Sequence, residues 1–349
     1  MSIALITGSS GLIGSEASTF FADKGFDVLG IDNNFRKFFF GSEGEVKTNR
    51  NRVINKIKKY KHFNIDIRNK IQLEKIFKKN KKKIEVIVHA AAQPSHDWAK
   101  NNINLDFQIN AIGTLNLLTL TRKYCPEAVF IFTSTNKVYG DNPNNFKFYE
   151  KSSRWDLNKN HENYKGVNEK MSLDNCIHSF FGTSKVYADL VTQEFGKNFG
   201  LKTVCFRAGC ITGPNHAGVE LHGFISYMIK TYLNEKTYKI FGYKGKQVRD
   251  NLHSQDLINC FWEFFKKPKY GEVYNVGGGR KSNCSILEVI NYLENNVKKK
   301  FKKKLLKQSR VGDHKWYVSN MSKFKSDYPN WKQNYNIKEI LDEQIDSLS

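Results

Sequence analysis

The chain has 349 residues, about twice a typical domain, so a large buried core and a second lobe are expected. Its formal net charge of +22 raises a nucleic-acid role, but the excess sits in lysine runs at 56–61, 78–83 and 298–304 that read as solvated faces. No helix-turn-helix, RNP or zinc-finger pattern accompanies them, so no nucleic-acid partner is expected, and the positive field suits an anionic cofactor and substrate instead.

Six cysteines (Cys125, Cys176, Cys205, Cys210, Cys260, Cys284) have no CxxC or metal-like spacing. They read as reduced thiols of a cytoplasmic protein without a metal site. No basic-then-apolar leader opens the chain and no apolar run reaches membrane-spanning length, so neither export nor membrane insertion is expected.

Residues 3–6 predict a short apolar strand. Thr7-Gly8-Ser9-Ser10-Gly11-Leu12-Ile13-Gly14 follows it, and then a helix to about residue 24. Strand, glycine-rich turn and helix N-terminus together make a site where backbone N–H groups and the helix dipole hold a pyrophosphate. Gly8 permits the tight turn, Gly11 lets the backbone approach phosphate, and Gly14 allows close helix–strand packing. The second strand, 26–31, ends at Asp32, at the distance where a carboxylate accepts hydrogen bonds from an adenosine ribose and repels a 2'-phosphate. That favours NAD over NADP, although Arg36 stands near enough to accept such a phosphate.

A strand is expected over 62–68, an amphipathic helix over 71–77 and a strand over 84–88. The last runs into Ala90, Ala91 and Ala92, small enough to lie against a cofactor, and then into a loop at 94–98. Asn110 opens a long helix with an apolar stripe. The next strand, 128–132, delivers Thr135, Asn136 and Lys137. Residues 142–179 are polar and irregular, and a loop of that length is usually functional; it is expected to cover the substrate. A helix over 180–198 places Phe181 and Lys185 one turn apart on one face. The strand over 203–207 leads to Cys210. The alternation predicts an α/β fold, a doubly wound parallel sheet.

Several motifs resemble the extended short-chain dehydrogenase/reductases of the NAD-dependent epimerase/dehydratase family. They are the GxxGxxG turn, the Asp66-Ile67 pair, Asn110 to Leu118, Thr133 to Asp141, Gly245 to Leu257, Tyr274 to Gly279, and Arg310 to Asp313. The resemblance implies a Rossmann-type NAD-binding domain over 1–214, with 142–179 as an insertion, and a smaller nucleotide-sugar lobe over 215–349, from which some strands return to the first domain. It implies cofactor contacts from Gly8, Gly11, Leu12, Ile13, Asp32, Asn33, Asp66, Ile67, Ala90, Ala91, Ala92, Asn110 and Lys185. Substrate contacts are implied for Gln93, Ser95, Asn136, His222, Arg249, Arg310 and Asp313. Thr135 is implied to hydrogen-bond the oxidised sugar hydroxyl. A homodimer or homotetramer is implied, paired through the Asn110 and Lys185 helices.

Relatives that dehydrate sugars carry Asp-Glu after the Thr135 position. Here Asn136 and Lys137 stand there, so the carboxylates for elimination are missing. Thr135-Asn136-Lys137 is instead similar to the CDP-paratose (CDP-tyvelose) 2-epimerase group. Phe181 departs from the family, whose tyrosine at that position supplies acid–base catalysis worth a factor of about 100 to 10,000. Cys210, Lys137, His222 and Tyr164, in that order, are candidates to replace it; Tyr187 lies on another side of the helix. Cys210→Ala is expected to abolish turnover and leave NAD binding intact. Three readings remain: a CDP-sugar 2-epimerase, another activity of the same superfamily on a nucleotide sugar (4-epimerisation, dehydration or net oxidation), and a catalytically silent homologue that binds NAD and nucleotide sugar.

Overall fold

The computed structural model describes residues 2–297 and 299–349; Lys298, the first residue of the third lysine run, lies outside them. Seven strands form one parallel sheet in the order Glu272–Val276, Thr203–Ala208, Val129–Thr135, Ile84–His89, Ile3–Thr7, Asp27–Ile31, Tyr60–Phe63. This is the doubly wound Rossmann-type sheet that the strand–helix alternation predicts. Helices cover both faces, which is why the strands are nearly continuous apolar runs, with Ile3–Thr7 buried at every position. Alternate residues serve opposite faces. Ala4, Ile6, Val28 and Val88 pack with Phe21 and Phe261, whereas Leu5, Leu29, Ile87 and Phe130 pack with Phe77, Leu117 and Leu118. The strand order reverses between Ile3–Thr7 and Ile84–His89, and such a switch point opens a crevice at the carboxyl ends of the strands.

A separate core after residue 214 gathers Ile225, Met228, Ile229, Ile240, Val289, Ile290, Leu293 and Leu341. Its strand Val248–His253 pairs in parallel with Cys210–Thr212 and antiparallel with Asn283–Ser285, which brings Arg249 to the crevice. Among the described residues no helix is long and apolar enough to cross a membrane.

Three local expectations are corrected. The strand expected over 62–68 stops at Phe63, because Asp66 turns the chain by accepting the Arg68 N–H at 2.9 Å. The loop expected over 94–98 becomes a helix at His96–Asn101, which Ser95 caps by accepting from the Trp98 N–H. Residues 142–179 do not cover the crevice; among the described residues none of them lines the main cavity. Instead Leu157 and Val167 join Val138, Val248, Trp316 and Tyr317 in a further core, and the Val167 N–H donates to Val318 O at 2.7 Å. Leu157 and Val167 are buried in that core, where a polar site would leave them exposed.

Candidate active site

A cavity of about 450 Å³ lies over the carboxyl ends of the sheet strands. Its first wall is backbone. Gly8 has a φ of 68°, and a Cβ there would stand 2.7 Å from Ala91 N; one on Gly14 would stand 2.0 Å from Gly8 O. Gly11 meets only its own turn, at 3.4 Å, and so leaves its outer side open. Helix Leu12–Asp23 starts there with no side-chain cap and no acidic residue in its first turn, so its free N–H groups face an anion unopposed.

Asp32 accepts from the Asn34 N–H at 2.7 Å and the Ser10 N–H at 3.0 Å, which fixes its carboxylate at the cavity rim. Burial pushes that carboxyl up, and the two N–H groups pull it back. Arg36 is turned away to Ala217 O at 2.6 Å and lies 4.8 Å over the Phe40 ring. Asp66 is held by Arg68 at 2.7 Å and by Asn33 at 3.2 Å; burial alone would raise its carboxyl, but Arg68 holds it down. Leu12, Ile13, Asn33, Asp66, Ile67 and Ala90 to Ala92 all line this wall. These groups fit a dinucleotide: an open anion-binding turn, a ribose-facing carboxylate and a backbone shelf.

Asn110, Gln93 and Ser95 do not line the cavity; they form the frame behind it. The Asn110 amide donates to Gln93 O, Asp106 Oδ1 and Ser184 Oγ, each at 3.1 Å, and its Oδ1 accepts from Gln93 N–H at 2.9 Å. Gln93 closes a ring with the Ser95 backbone at 2.9 and 2.8 Å. All three are buried and hydrogen-bonded behind the cavity wall, so the structure does not bring them to the cavity surface. Asn110 sits in a π-helical turn, Gln108–Ile112, a local widening of the kind that clusters near functional sites.

The opposite wall is made of side chains. Helix Ser179–Phe199 turns both Phe181 and Lys185 into the cavity, as their spacing predicts. The Lys185 amine donates to Thr133 O at 2.8 Å and stands 4.1 Å over the Phe132 ring. Burial lowers it to about 8, and the Asp189 carboxylate one turn on partly offsets this. Thr135 ends its strand, accepting from the Lys137 N–H at 3.2 Å. Lys137 reaches across to Gly312 O at 3.0 Å and to Asp313 at 3.5 Å. Arg249 grips Asp313 through one nitrogen at 2.8 and 2.7 Å and donates to His314 O at 2.7 Å. Burial would raise Asp313, but Arg249 and then Lys137 hold it well below the usual carboxylate range. Arg310 pairs with Asp97 at 3.3 Å and lies 4.1 Å over the Phe241 ring. Loop 310–314 thereby closes the far end with two arginines and a lysine facing inward.

Of the candidates to replace a tyrosine, Cys210 and Lys137 line the cavity beside Asn136. Burial pushes the Cys210 thiol up to about 11, which keeps it protonated and removes it from the head of the order. Lys137 is also lowered by burial, but is engaged with Asp313. His222 lines the other end, 3.3 Å from Arg36. Tyr164 is outside the cavity, stacked under Arg280 at 3.9 Å, and is removed from the list. Tyr187 packs on Phe107 at 5.7 Å, away from the site. Sequence reasoning missed His96, Phe241 and Glu220, which also line the cavity. The Ser95 N-cap ahead of a tryptophan-bearing stretch was the available signal for the first.

Comparison with known proteins matches residues 4–277 to the NAD dependent epimerase/dehydratase family. The chain belongs to that family. It is 30% identical to the CDP-paratose 2-epimerase of Salmonella typhi over 99% of this chain and 98% of that protein. It is 27% identical to the UDP-glucuronate 4-epimerase of Thermodesulfobacterium geofontis, over 98% and 94% respectively. Among solved structures, the UDP-glucuronic acid 4-epimerase of Bacillus cereus, in complex with UDP-glucuronic acid and NAD, superimposes with a TM-score of 0.79 at 25% identity, covering 100% of this chain and 99% of that one. The chain is thus a member of an NAD-dependent, nucleotide-sugar epimerase and dehydratase family.

Proposed function

We propose that this family member epimerises C2 of a CDP-sugar through a transient 2-keto sugar. The observation that carries this reading is the turn after Thr135: Asn136 faces the cavity, and Lys137, in place of a carboxylate, is tied to Asp313. An elimination of water needs an acid and a base there, and an epimerisation does not. The full-length likeness to a CDP-paratose 2-epimerase supports the same choice.

Bound NAD+ supplies a reversible hydride acceptor. The chain's own residues do the rest. The open glycine turn holds the pyrophosphate, Asp32 the adenosine ribose, and Lys185 the nicotinamide ribose while lending positive charge. Thr135 hydrogen-bonds the sugar O2, and Arg249 and Arg310 meet the diphosphate, for which guanidinium geometry suits them. Asp313 organises Arg249 and Lys137 at the closing loop. The cavity keeps the sugar oriented and its keto form from escaping. On this reading residues 1–214 are the NAD domain and 215–349 mainly the nucleotide-sugar lobe. The chain works as a homodimer or homotetramer, a pairing supported by exposed Ile103, Phe107, Tyr187 and Leu190 on the outer faces of the Asn110 and Lys185 helices.

Turnover of a CDP-sugar deuterated at C2, followed by NMR of the product, tests the reading. The expected product is inverted at C2, keeps the label, and forms with a primary isotope effect. Inversion at C4 or loss of water would overturn it. A second reading, a silent binding protein, has Phe181 in its favour and predicts tight binding of both ligands with no conversion.

A further inference from the structure

Phe181 can neither give nor take a proton, yet it stands in the cavity wall one turn from Lys185. Against its ring, edge-on with centroids 4.9 Å apart, lies the imidazole of His96. His96 opens helix His96–Asn101, and that helix packs on the Lys185 helix, so both sides of the pair are on rigid elements. Its Nδ1 is 2.7 Å from Ser179 Oγ. Ser179 is the first residue of the Lys185 helix and has a φ of 62°, a left-handed backbone uncommon for serine. Such a conformation costs on the order of 1–3 kcal/mol and persists where surrounding contacts hold it, often at functional sites. Ser179 Oγ also accepts from the Gly182 N–H at 3.3 Å. The Nδ1–Oγ contact anchors the ring at one nitrogen. Among the described residues Nε2 has no hydrogen-bond partner.

We infer that His96 replaces the missing phenol as the acid–base group, with Ser179 as the positioning residue that holds the ring against Phe181 through Nδ1. The inference rests on the epimerase reading. In the forward half-reaction the sugar O–H bond breaks and its proton goes to His96 Nε2; the C–H bond at the same carbon breaks and its hydride goes to the oxidised nicotinamide that the family's chemistry supplies. The C–O bond becomes C=O, and both transfers reverse onto the other face. The groups acting on His96 are Lys137, Asp313, Arg310 and Arg249 from the closing side and His222 from the far end. Burial, then Lys137, pushes the imidazole down to about 3, so the free ring is neutral near neutral pH. An anionic diphosphate near Arg249 and Arg310 offsets part of the positive charge around the ring, whereas burial, the larger cause, stays.

His96→Gln keeps a hydrogen bond to Ser179 but accepts no proton. It is expected to lower CDP-sugar turnover by about 100- to 10,000-fold, with NAD and CDP affinities by calorimetry and the melting temperature unchanged. Phe181→Tyr added to His96→Gln is expected to restore turnover, which a merely structural histidine would not allow. Wild-type turnover in His96→Gln overturns the inference, as does loss of ligand binding together with turnover. A wild type that stays inert until Phe181→Tyr activates it overturns His96 alone. Turnover at a carbon other than C2 overturns the C2 reading, and the His96→Gln comparison then runs on that reaction. A wild type and a Phe181→Tyr variant both inert on all nucleotide sugars overturn the epimerase reading and the inference with it.

Discussion

The two walls of the cavity are built on different principles. The wall with the glycine turn is backbone, with close approaches at Gly8 and Gly14 where strand ends meet a helix start. The opposite wall is side chains drawn from at least five separated segments, those of Thr135 with Lys137, Lys185, Cys210, Arg249 and Asp313. A backbone wall tolerates no added atom, because the neighbour that must give way is itself main chain. A side-chain wall tolerates change in size but not in charge or proton chemistry.

The largest effect that tests this contrast is Gly14→Ala. The new methyl would meet Gly8 O at 2.0 Å and Ser9 Cα at 2.8 Å, so helix and turn must separate. A loss of about 4 kcal/mol is expected, read as a fall in the denaturant midpoint, together with loss of NAD binding by calorimetry. A folded, NAD-binding Gly14→Ala protein would break the distinction.

A smaller effect comes from charge on the other wall. Lys185 is charged below about 8 in the folded protein, against an ordinary value of 10.5. Its proton is therefore lost as pH rises through about 8, and with it, on the proposed function, a charge-assisted hydrogen bond to the cofactor ribose, worth about 1.5 kcal/mol or roughly tenfold in affinity. NAD affinity is expected to be high below pH 8 and to fall above it, whereas Lys185→Met binds weakly at every pH. The same shift acts oppositely on stability. Between about 8 and 10.5 the unfolded chain holds the proton that the folded chain has released, so this group favours the fold increasingly as pH rises through that window. A titration in which affinity and stability moved together would refute the assignment of the shift to Lys185.

The same contrast explains what could be read from the residues alone. The glycine turn, Asp32 and the alanine shelf lie in short contiguous stretches, where spacing and strand–helix alternation fix geometry directly. The placement of Phe181 and Lys185 on one face followed from helical period for the same reason. That Asn110, Gln93 and Ser95 stand behind the wall was not legible, because polar residues near a site can bond to each other, which depends on tertiary packing. The segment 142–179 was misplaced because its apolar partners, Val248, Trp316 and Tyr317, lie far downstream. His96 was missed because its partner Ser179 is 83 positions away, and nothing local marks either as one of a pair.

The smallest expected effect is also the one that separates the two ways of placing a proton carrier. Position alone put Cys210 first, at the end of a strand facing the cavity, and predicted that Cys210→Ala abolishes turnover. The structure agrees on the position and disagrees on the chemistry. Burial drives the thiol up to about 11, and the pull of Arg249 and Lys137 is too weak to bring it back. Near neutral pH it is a protonated, poorly basic group. Cys210→Ala is therefore expected to fall well short of the roughly 100-fold loss that marks a missing acid–base group, with a modest rise in KM as the sugar's packing loosens and kcat almost unchanged. Steady-state kinetics of Cys210→Ala beside His96→Gln checks this. A kcat loss for Cys210→Ala as large as that for His96→Gln would move the acid–base role back to the thiol and show that the bound substrate reshapes its environment.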